Sequence, residues 1–229
     1  MEEALLLTAA GYLIGSVPFG YLLVRLVCGK DVRRYGSHNI GAVNVSRVAG
    51  RCVGLVTLAL DAGKAFAMVL VAASLTTDAA VVAAAGFAVL LGHSYSAWFL
   101  LVERRLSGGK SVASGLGVLL ALAELGAIEW WSVEIPIAVW TAGLIGPRIL
   151  TGRWWCVSPA TLAATVSAPV AVWLGHPVPA YLAMCLAMSG LIVVRHRGNI
   201  ARLATGSEPR IGETAEAAAP QLTLAARAR

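Results

Sequence analysis

The chain has 229 residues, of which 58% are hydrophobic and 13% are charged, and its formal net charge is +6. An ordinary soluble domain is roughly 45–50% apolar and about 25% charged. Because this apolar surplus has no place in a water-soluble fold, the composition excludes an ordinary soluble domain and predicts an all-α integral membrane protein.

Seven apolar runs follow one another along the chain, at about residues 4–27, 53–76, 79–97, 112–128, 133–150, 156–174 and 177–194. Several are near the lower limit of about 17 to 20 residues for a spanning helix. Short polar breaks at 76–78 and 175–176 predict two tight antiparallel hairpins. The first run has no basic head and no small-residue cleavage site, so we expect a retained helix and not a signal peptide. We therefore predict about seven transmembrane helices.

The distribution of charge predicts the orientation. If successive loops alternate between two sides, 17 of the 18 Lys and Arg residues fall on one side, and the last, Lys64, lies inside the second run. The opposite side receives acidic residues and no cation. This positive-inside pattern predicts an external N-terminus and a cytoplasmic C-terminus. The basic residues lie in juxtamembrane loops suited to membrane lipids, without the aromatic interleaving expected for nucleic-acid binding.

The membrane domain is predicted to span residues 1–212. The Ala-rich segment 213–229 is expected to be a disordered cytoplasmic tail. The four cysteines lie far apart, without a CxxC pair or a Cys/His spacing, so we predict free thiols and no metal site: Cys28, Cys52, Cys156 and Cys185.

Three polar stretches combine small residues with a cation, and each lies at the end of an apolar run: residues 37–47, 107–111 and 195–202. Small residues expose backbone N–H groups, hydroxyls and amides add donors, and Lys or Arg supplies charge. All three stretches fall on the predicted cytoplasmic side. Together they predict a site for phosphate groups at the bilayer surface.

The first stretch supplies donors of several kinds. Ser37, Asn39 and Asn44 could donate to phosphate or hydroxyl oxygens, and Gly41 allows close backbone approach. Arg47 could hold a phosphate through two parallel hydrogen bonds. For Ser37 and Asn39, a role as helix cap is the alternative.

The second stretch is a glycine turn that leads into a helix. Gly108, Gly109, Lys110 and Ser111 precede the run that begins near Val112, and such a turn at a helix N-terminus favours anions. Lys110 would add a point charge where a bound phosphate carries or gains negative charge. A flexible interfacial loop with a snorkelling lysine is the alternative.

The third stretch contains His196, which could be a general base toward a hydroxyl or a neutral donor to phosphate. Its neighbours Arg195 and Arg197 favour the neutral form. Asn199 shares its face if the segment is helical. Because none of the three stretches contains a carboxylate, a substrate phosphate oxygen is the alternative proton acceptor. A simply solvated histidine is the remaining possibility.

Two ionisable residues lie within the second apolar run. Asp61 and Lys64 are three residues apart, on one face of a helix, where charged groups are usually paired or functional. We expect an ion pair that braces the site, with direct substrate contact as the second possibility. His93 is expected to be a hydrogen-bonded buried histidine.

Six motifs occur in an order that resembles one family: Gly15–Gly20, Ser37–Arg47, Asp61-x-x-Lys64, Gly92-His93, Gly109-Lys110 with Val112-Ala113, and His196–Leu203. The chain resembles, over about residues 11–212, the bacterial membrane glycerol-3-phosphate acyltransferases that use acyl phosphate, the PlsY family.

The resemblance implies transfer of a fatty acyl group from acyl phosphate to the sn-1 hydroxyl of glycerol 3-phosphate, giving lysophosphatidate and phosphate. It implies no metal or other cofactor, a multi-pass protein of the bacterial inner membrane, and a site near the cytoplasmic face. It also implies that Ser158 belongs to the site. A non-catalytic or altered-substrate paralogue that binds phosphorylated lipid precursors is the alternative, and a small transporter ranks last.

Four positions depart from the family pattern. His38 and Ser111 stand where the family usually has Gly, and Val43 and Ser114 where it usually has Thr. If Ser111 needs a positive backbone φ, its side chain costs roughly 1–2 kcal/mol relative to Gly. The segment before Lys110 also has about five extra residues, among them Glu103. These departures motivate the paralogue alternative.

Overall fold

The computed structural model describes residues 1–152 and 155–212, and the regular secondary structure in this part of the chain is helical, apart from an isolated β-bridge between Cys156 and Arg210. The helices are α1 (Glu2–Gly15), α2 (Phe19–Cys28), α3 (Ala42–Ala49), α4 (Arg51–Leu75), α5 (Ala79–Ser94), α6 (Ala97–Glu103), α7 (Val112–Glu124), α8 (Trp131–Thr151), α9 (Val157–Leu174), α10 (Pro179–Arg195) and α11 (Arg197–Ala204). The predicted tail, 213–229, lies outside the described residues.

The prediction of an all-α integral membrane protein is confirmed. In the described ranges, five helical segments are long and apolar enough to cross a membrane: Glu2–Cys28, Arg51–Leu75, Ala79–Glu103, Trp131–Thr151 and Val157–Leu174. A sixth is counted if α10 and α11, which are bent by 53° relative to each other, form one span, and α7 is a shorter apolar helix of 13 residues. Each of the seven predicted runs thus contains a helix, while the seven-span count and the orientation stay predictions.

The first apolar run differs from its prediction, because it forms two helices and not one. The chain breaks at Ser16–Pro18, and this break packs against the break between α5 and α6. Ser16 Oγ donates to Tyr12 O at 2.8 Å and accepts from the Ala97 N–H at 3.1 Å, while Ser96 Oγ donates to Ser16 O. In a membrane, backbone groups freed by a break must find partners inside the protein. The two breaks therefore stabilise each other.

Close helix contacts build the main core. α1 packs along α5, α4 along α7, and α8 along α9. A Cβ on Gly15 would collide with the backbone of Val89, and one on Gly117 with the backbone of Ala62. Small residues at such contacts let helix backbones approach closely, which is how membrane helices gain packing energy.

A second, smaller core lies at the end of the bundle that carries Arg47, Lys110, Arg195 and Arg202, which we term the basic end. Its buried side chains are Val24, Val32, Ile40, Val45 and Phe99. It supports α3, a helix that the sequence did not predict.

Arg33 ties this small core to the loop before Lys110. Its guanidinium donates to Glu103 at 2.7 and 2.6 Å and to Asp31 at 2.9 and 2.7 Å, and it lies 4.3 Å from the centre of the Phe99 ring. A guanidinium suits this arrangement because its planar fork pairs with carboxylates and stacks on rings. Glu103, one of the extra residues, thus anchors its loop to the segment that precedes the first polar stretch.

Candidate active site

One cavity of about 430 Å³ lies at the basic end and brings together residues from all three polar stretches. Its lining includes eleven of the residues predicted for the site, counted over the part of the chain that the structure describes: Ser37, Asn39, Gly41, Asn44, Arg47, Asp61, Lys110, Ser111, Ser158, His196 and Asn199. The other three predicted residues do not line the cavity but contact residues beside it: Gly108 and Gly109 contact Arg195, and Lys64 contacts Asp61.

Asn44 organises the first stretch from within. Its side-chain oxygen accepts the Ser37 N–H at 2.9 Å, and its NH₂ group donates to the carbonyls of Val32, Tyr35 and Asn39 at 2.8 to 3.1 Å. These bonds use its donors, so the structure places Asn44 as a support for the loop and not as the donor to phosphate that the sequence suggested.

The helix-cap alternative for Ser37 and Asn39 does not describe this loop. The N-cap of α3 is Gly41, without a side-chain cap bond. The Asn39 carboxamide oxygen accepts the N–H of Gly41 at 2.8 Å, which leaves its NH₂ group beside the cavity that Asn39 lines. Ser37 lines the same cavity.

The glycine turn is held from two sides. The Gly109 N–H donates to His93 O at 2.8 Å, and Arg195 donates to Gly109 O at 3.0 Å and to Gly108 O at 3.1 Å. A Cβ on Gly109 would collide with the His93 ring, so only glycine fits there. Arg195 therefore links the turn that carries Lys110 to the helix end that carries His196.

Ser111 has a left-handed backbone, with φ 61°. This is the conformation considered for Ser111 because the family usually has Gly at this position. Its hydroxyl is buried, and it donates to Leu90 O at 2.8 Å while lying 2.7 Å from Ser94 Oγ. These hydrogen bonds offset the cost of the side chain in this conformation.

A buried ionic cluster supports the turn from below. Lys64 Nζ lies 2.8 Å from Asp61 Oδ1 and 3.0 Å from His93 Nδ1, and it also donates to Val17 O at 3.0 Å. Because the His93 backbone and ring contact Gly109, the cluster fixes the floor of the glycine turn. The arrangement is the one expected of a bracing ion pair, and it satisfies a carbonyl at the α1–α2 break.

Lys110 lines the cavity at the end of the glycine turn. Desolvation lowers its pKa to about 8; the nearby Glu208 opposes this shift, whereas Arg202, Arg47 and Arg195 add to it. A desolvated ammonium interacts with a phosphate more strongly than one in bulk water. The position suits a charge that stabilises a bound anion.

His196 follows α10 and is buried. Its Nδ1 lies 2.8 Å from Ile192 O, and because a carbonyl only accepts, Nδ1 carries the proton in the neutral ring. Nε2 is then a hydrogen-bond acceptor. If His196 were instead a neutral donor to phosphate through Nε2, Nδ1 would lose its proton and the hydrogen bond to Ile192 O would break. The burial of the ring favours the expected neutral form, because burial disfavours a charged group.

A polar network closes the third side of the cavity and includes a residue that the sequence analysis missed. Asn199 Nδ2 donates to Ser158 Oγ at 2.8 Å and to Glu208 Oε1 at 2.6 Å. Ser158 Oγ donates to Glu208 Oε1, and Arg202 Nε donates to Glu208 Oε2 at 2.8 Å. Glu208 was identifiable as the only carboxylate between the third stretch and the predicted tail.

The cavity continues from this polar end into an apolar part between α7, α8, α9 and α10. Side chains such as Leu116, Trp140, Ala164 and Met188 line it. Among the residues that the structure describes, no group of three or more His, Cys, Asp or Glu is placed to hold a metal ion. The site therefore combines an anion-binding head with a passage suited to a hydrocarbon chain.

Comparison with known proteins agrees with this geometry. A family model described as glycerol-3-phosphate acyltransferase matches residues 5–206. A glycerol-3-phosphate acyltransferase of a Synechococcus species is 43% identical over 215 residues, covering 93% of this chain and 97% of that protein. One from Caulobacter vibrioides is 41% identical over 205 residues, covering 89% and 85%.

Two crystal structures of PlsY (YgiH), an integral membrane glycerol 3-phosphate acyltransferase, also match. Its glycerol 3-phosphate form is 35% identical with a TM-score of 0.79, covering 91% of this chain and 96% of that one. Its lysophosphatidic acid form is 33% identical with a TM-score of 0.75, covering 91% and 95%.

Proposed function

This chain belongs to the glycerol-3-phosphate acyltransferase family, and from that premise we propose that it transfers a fatty acyl group from acyl phosphate to the sn-1 hydroxyl of glycerol 3-phosphate. The products are lysophosphatidate and inorganic phosphate. The observation that carries this assignment is the shape of the cavity, in which a cationic head opens into an apolar passage. Such a cavity suits phosphate groups at its cationic head and an acyl chain in its apolar part.

Two cations are assigned to the phosphates. Arg47 lines the cavity and suits bidentate binding of a phosphate, whereas Lys110 acts as a point charge at the end of the glycine turn. Negative charge grows on the acyl oxygen and on the leaving phosphate as the hydroxyl attacks, so a fixed cation there lowers the barrier. Removing one such group typically costs about 100- to 1,000-fold in rate.

His196 is assigned as the group that temporarily accepts the proton of the acceptor hydroxyl. Nε2 is the acceptor nitrogen of the neutral ring, because Nδ1 is bound to Ile192 O. The hydroxyl oxygen bonds to the acyl carbon, the bond from that carbon to the phosphate oxygen breaks, and the proton ends on the released phosphate. His196 therefore needs to hold the proton only during the reaction and returns to its neutral form.

We place the protein in the bacterial inner membrane, with its basic end at the cytoplasmic face. The charge distribution supports this orientation, because 17 of the 18 Lys and Arg residues fall on one side when successive loops alternate. Water-soluble glycerol 3-phosphate would enter at that end, and acyl phosphate would enter from the bilayer by the apolar part of the cavity among α7, α8, α9 and α10.

A donor comparison tests the proposed function. Purified protein receives glycerol 3-phosphate with either palmitoyl phosphate or palmitoyl-CoA, and lysophosphatidate is measured by mass spectrometry. We expect product only with palmitoyl phosphate. Product from palmitoyl-CoA alone would contradict the donor assignment, and absence of product with both donors in a monodisperse sample would favour the non-catalytic paralogue.

A further inference from the structure

Glu208 is an unexpected residue for this cavity. It is 8% exposed and lines the same space as Lys110, His196 and Asn199. Both substrates of the proposed reaction carry a phosphate, and a carboxylate repels phosphate. A carboxylate in this position must therefore face a part of the substrates that is not anionic.

The hydrogen bonds of Glu208 leave part of its capacity unused. Oε1 accepts from Ser158 and from Asn199, and Oε2 accepts from Arg202 Nε. An ionised carboxylate has about four acceptor positions. One position, on Oε2, is therefore left for a donor in the cavity. An acyl chain offers no such donor and a phosphate is repelled by the carboxylate, whereas the hydroxyls of glycerol 3-phosphate are uncharged donors.

The segment that carries Glu208 holds its carboxylate in place. Ile211 N–H donates to Trp155 O at 3.0 Å, and the Cys156 thiol donates to Glu208 O at 3.2 Å. The segment after α11 is thus attached to the chain just before α9, which carries Ser158. A binding group fixed in this way recognises its ligand without first being ordered.

We propose that Glu208 accepts a hydrogen bond from the secondary hydroxyl of glycerol 3-phosphate and so orients the acceptor. This inference rests on the proposed function. A carboxylate held by three protein donors is suited to holding a hydroxyl, whereas Nε2 of His196 is suited to the primary hydroxyl that reacts. The acceptor phosphate then lies toward Arg47 and Lys110, and the polyol end lies toward Glu208.

The experiment compares two acceptors that differ only in this hydroxyl. Glycerol 3-phosphate has it, and 3-hydroxypropyl phosphate lacks it but keeps the primary hydroxyl and the phosphate. The ratio of their kcat/KM values is measured with palmitoyl phosphate for the wild type, for Glu208→Gln and for the control Glu124→Gln. Glu124 is an exposed residue at the far end of α7.

We expect the wild type and Glu124→Gln to prefer glycerol 3-phosphate by roughly 10- to 100-fold, the range for a hydrogen bond to a charged group. In Glu208→Gln we expect this preference to fall at least about tenfold, through loss of the reaction with glycerol 3-phosphate. A merely structural role would lower both reactions equally and leave the ratio unchanged. If Glu208→Gln is not recovered as a monodisperse sample, Glu208→Asp, which withdraws the carboxylate by one methylene, is held to the same criterion.

Two results would overturn the inference. One is a wild-type ratio near one, and the other is a ratio that the Glu208 variant leaves intact. Either result, obtained with an active wild type, leaves the acyltransferase assignment in place. A wild type inactive with both acceptors would remove the proposed function and this inference together.

Discussion

His38 and Ser111 have left-handed backbones, with φ of 57° and 61°. Each side chain makes a hydrogen bond that a glycine could not: His38 Nδ1 to Arg33 O at 2.9 Å, and Ser111 Oγ to Leu90 O at 2.8 Å. The chain thus keeps the backbone that a glycine would allow and stabilises it with side-chain contacts. These two departures from the family pattern are therefore compatible with a left-handed backbone at both positions.

Substitutions of Ser111 separate the cost of its left-handed backbone from the contribution of its hydroxyl contacts. Ser111→Ala keeps the unfavourable φ and loses both hydroxyl contacts, whereas Ser111→Gly loses the contacts but relieves the backbone. We expect Ser111→Gly to be the more stable of the two by about 1 kcal/mol. Thermal unfolding in detergent measures this order, and equal or reversed stabilities would show that the backbone cost is negligible.

Lys110 predicts how substrate binding depends on pH. Its pKa is lowered to about 8, so the ammonium is present below that pH and is lost as the pH rises through it. We therefore expect the KM for glycerol 3-phosphate to rise about tenfold for each pH unit above 8, since the neutral amine binds phosphate poorly. Initial rates from pH 6.5 to 9.5 test this, with Lys110→Arg as the control, because its guanidinium stays charged throughout. A wild-type KM that stays flat to pH 9.5 would contradict it.

At the scale of elements, Arg195 connects parts of the site that are far apart in sequence. Its two hydrogen bonds join the end of α10 to the glycine turn before α7, and its guanidinium lies 5.0 Å from the centre of the Tyr95 ring. Lys110 and His196 are therefore held relative to each other by one side chain, so Arg195 is a positioning residue.

Arg195→Lys keeps the charge but loses the paired geometry. We expect kcat to fall about 10- to 100-fold, because a small misplacement of reacting groups is costly, while the KM values change little. The exposed neighbour provides the control, since Arg197→Lys is expected to keep kcat within about twofold of the wild type. A change confined to thermal stability, with kcat preserved, would assign Arg195 a structural role alone.

The elements could be predicted where a single local pattern determines them. Each apolar run contains a helix, because hydrophobic length alone indicates a spanning segment. The break at Ser16–Pro18 and helix α3 were not predicted, since their stability depends on partners such as Ser96 and Phe99 in another part of the chain. Glu208 could be noticed in the sequence as a lone carboxylate, but its role depends on contacts with Ser158 and Asn199.

For the whole molecule, the clearest untested prediction is the orientation. Cys52 is exposed in the first turn of α4, on the predicted cytoplasmic side, and Thr77 lies in the opposite loop. The other cysteines, and Cys52 itself in the Thr77→Cys variant, are replaced by Ser. We expect a membrane-impermeant maleimide to label Cys52 only in inside-out vesicles and Thr77→Cys only in intact spheroplasts, as the positive-inside rule requires. The reverse pattern would invert the topology.

The cavity has one part that the sequence predicted and one part that only the packing of the helices determines. The sequence predicted a phosphate site from its three polar stretches, and eleven of its predicted residues line one cavity. It did not indicate which helices admit the acyl chain, because the lining of a gap between helices depends on how they pack. The apolar part of the cavity lies among α7, α8, α9 and α10, and we propose this gap for the acyl chain.

The central claim is that one cavity couples the cleavage of acyl phosphate to acylation of glycerol 3-phosphate. The most direct test measures phosphate and lysophosphatidate together, in the wild type, in Lys110→Met and in the control Lys30→Met, which alters an exposed lysine. We predict one phosphate for each lysophosphatidate, only when both substrates are present, with a loss of at least about 100-fold in Lys110→Met alone. Phosphate released without glycerol 3-phosphate at the full rate, or full turnover in Lys110→Met, would contradict the account.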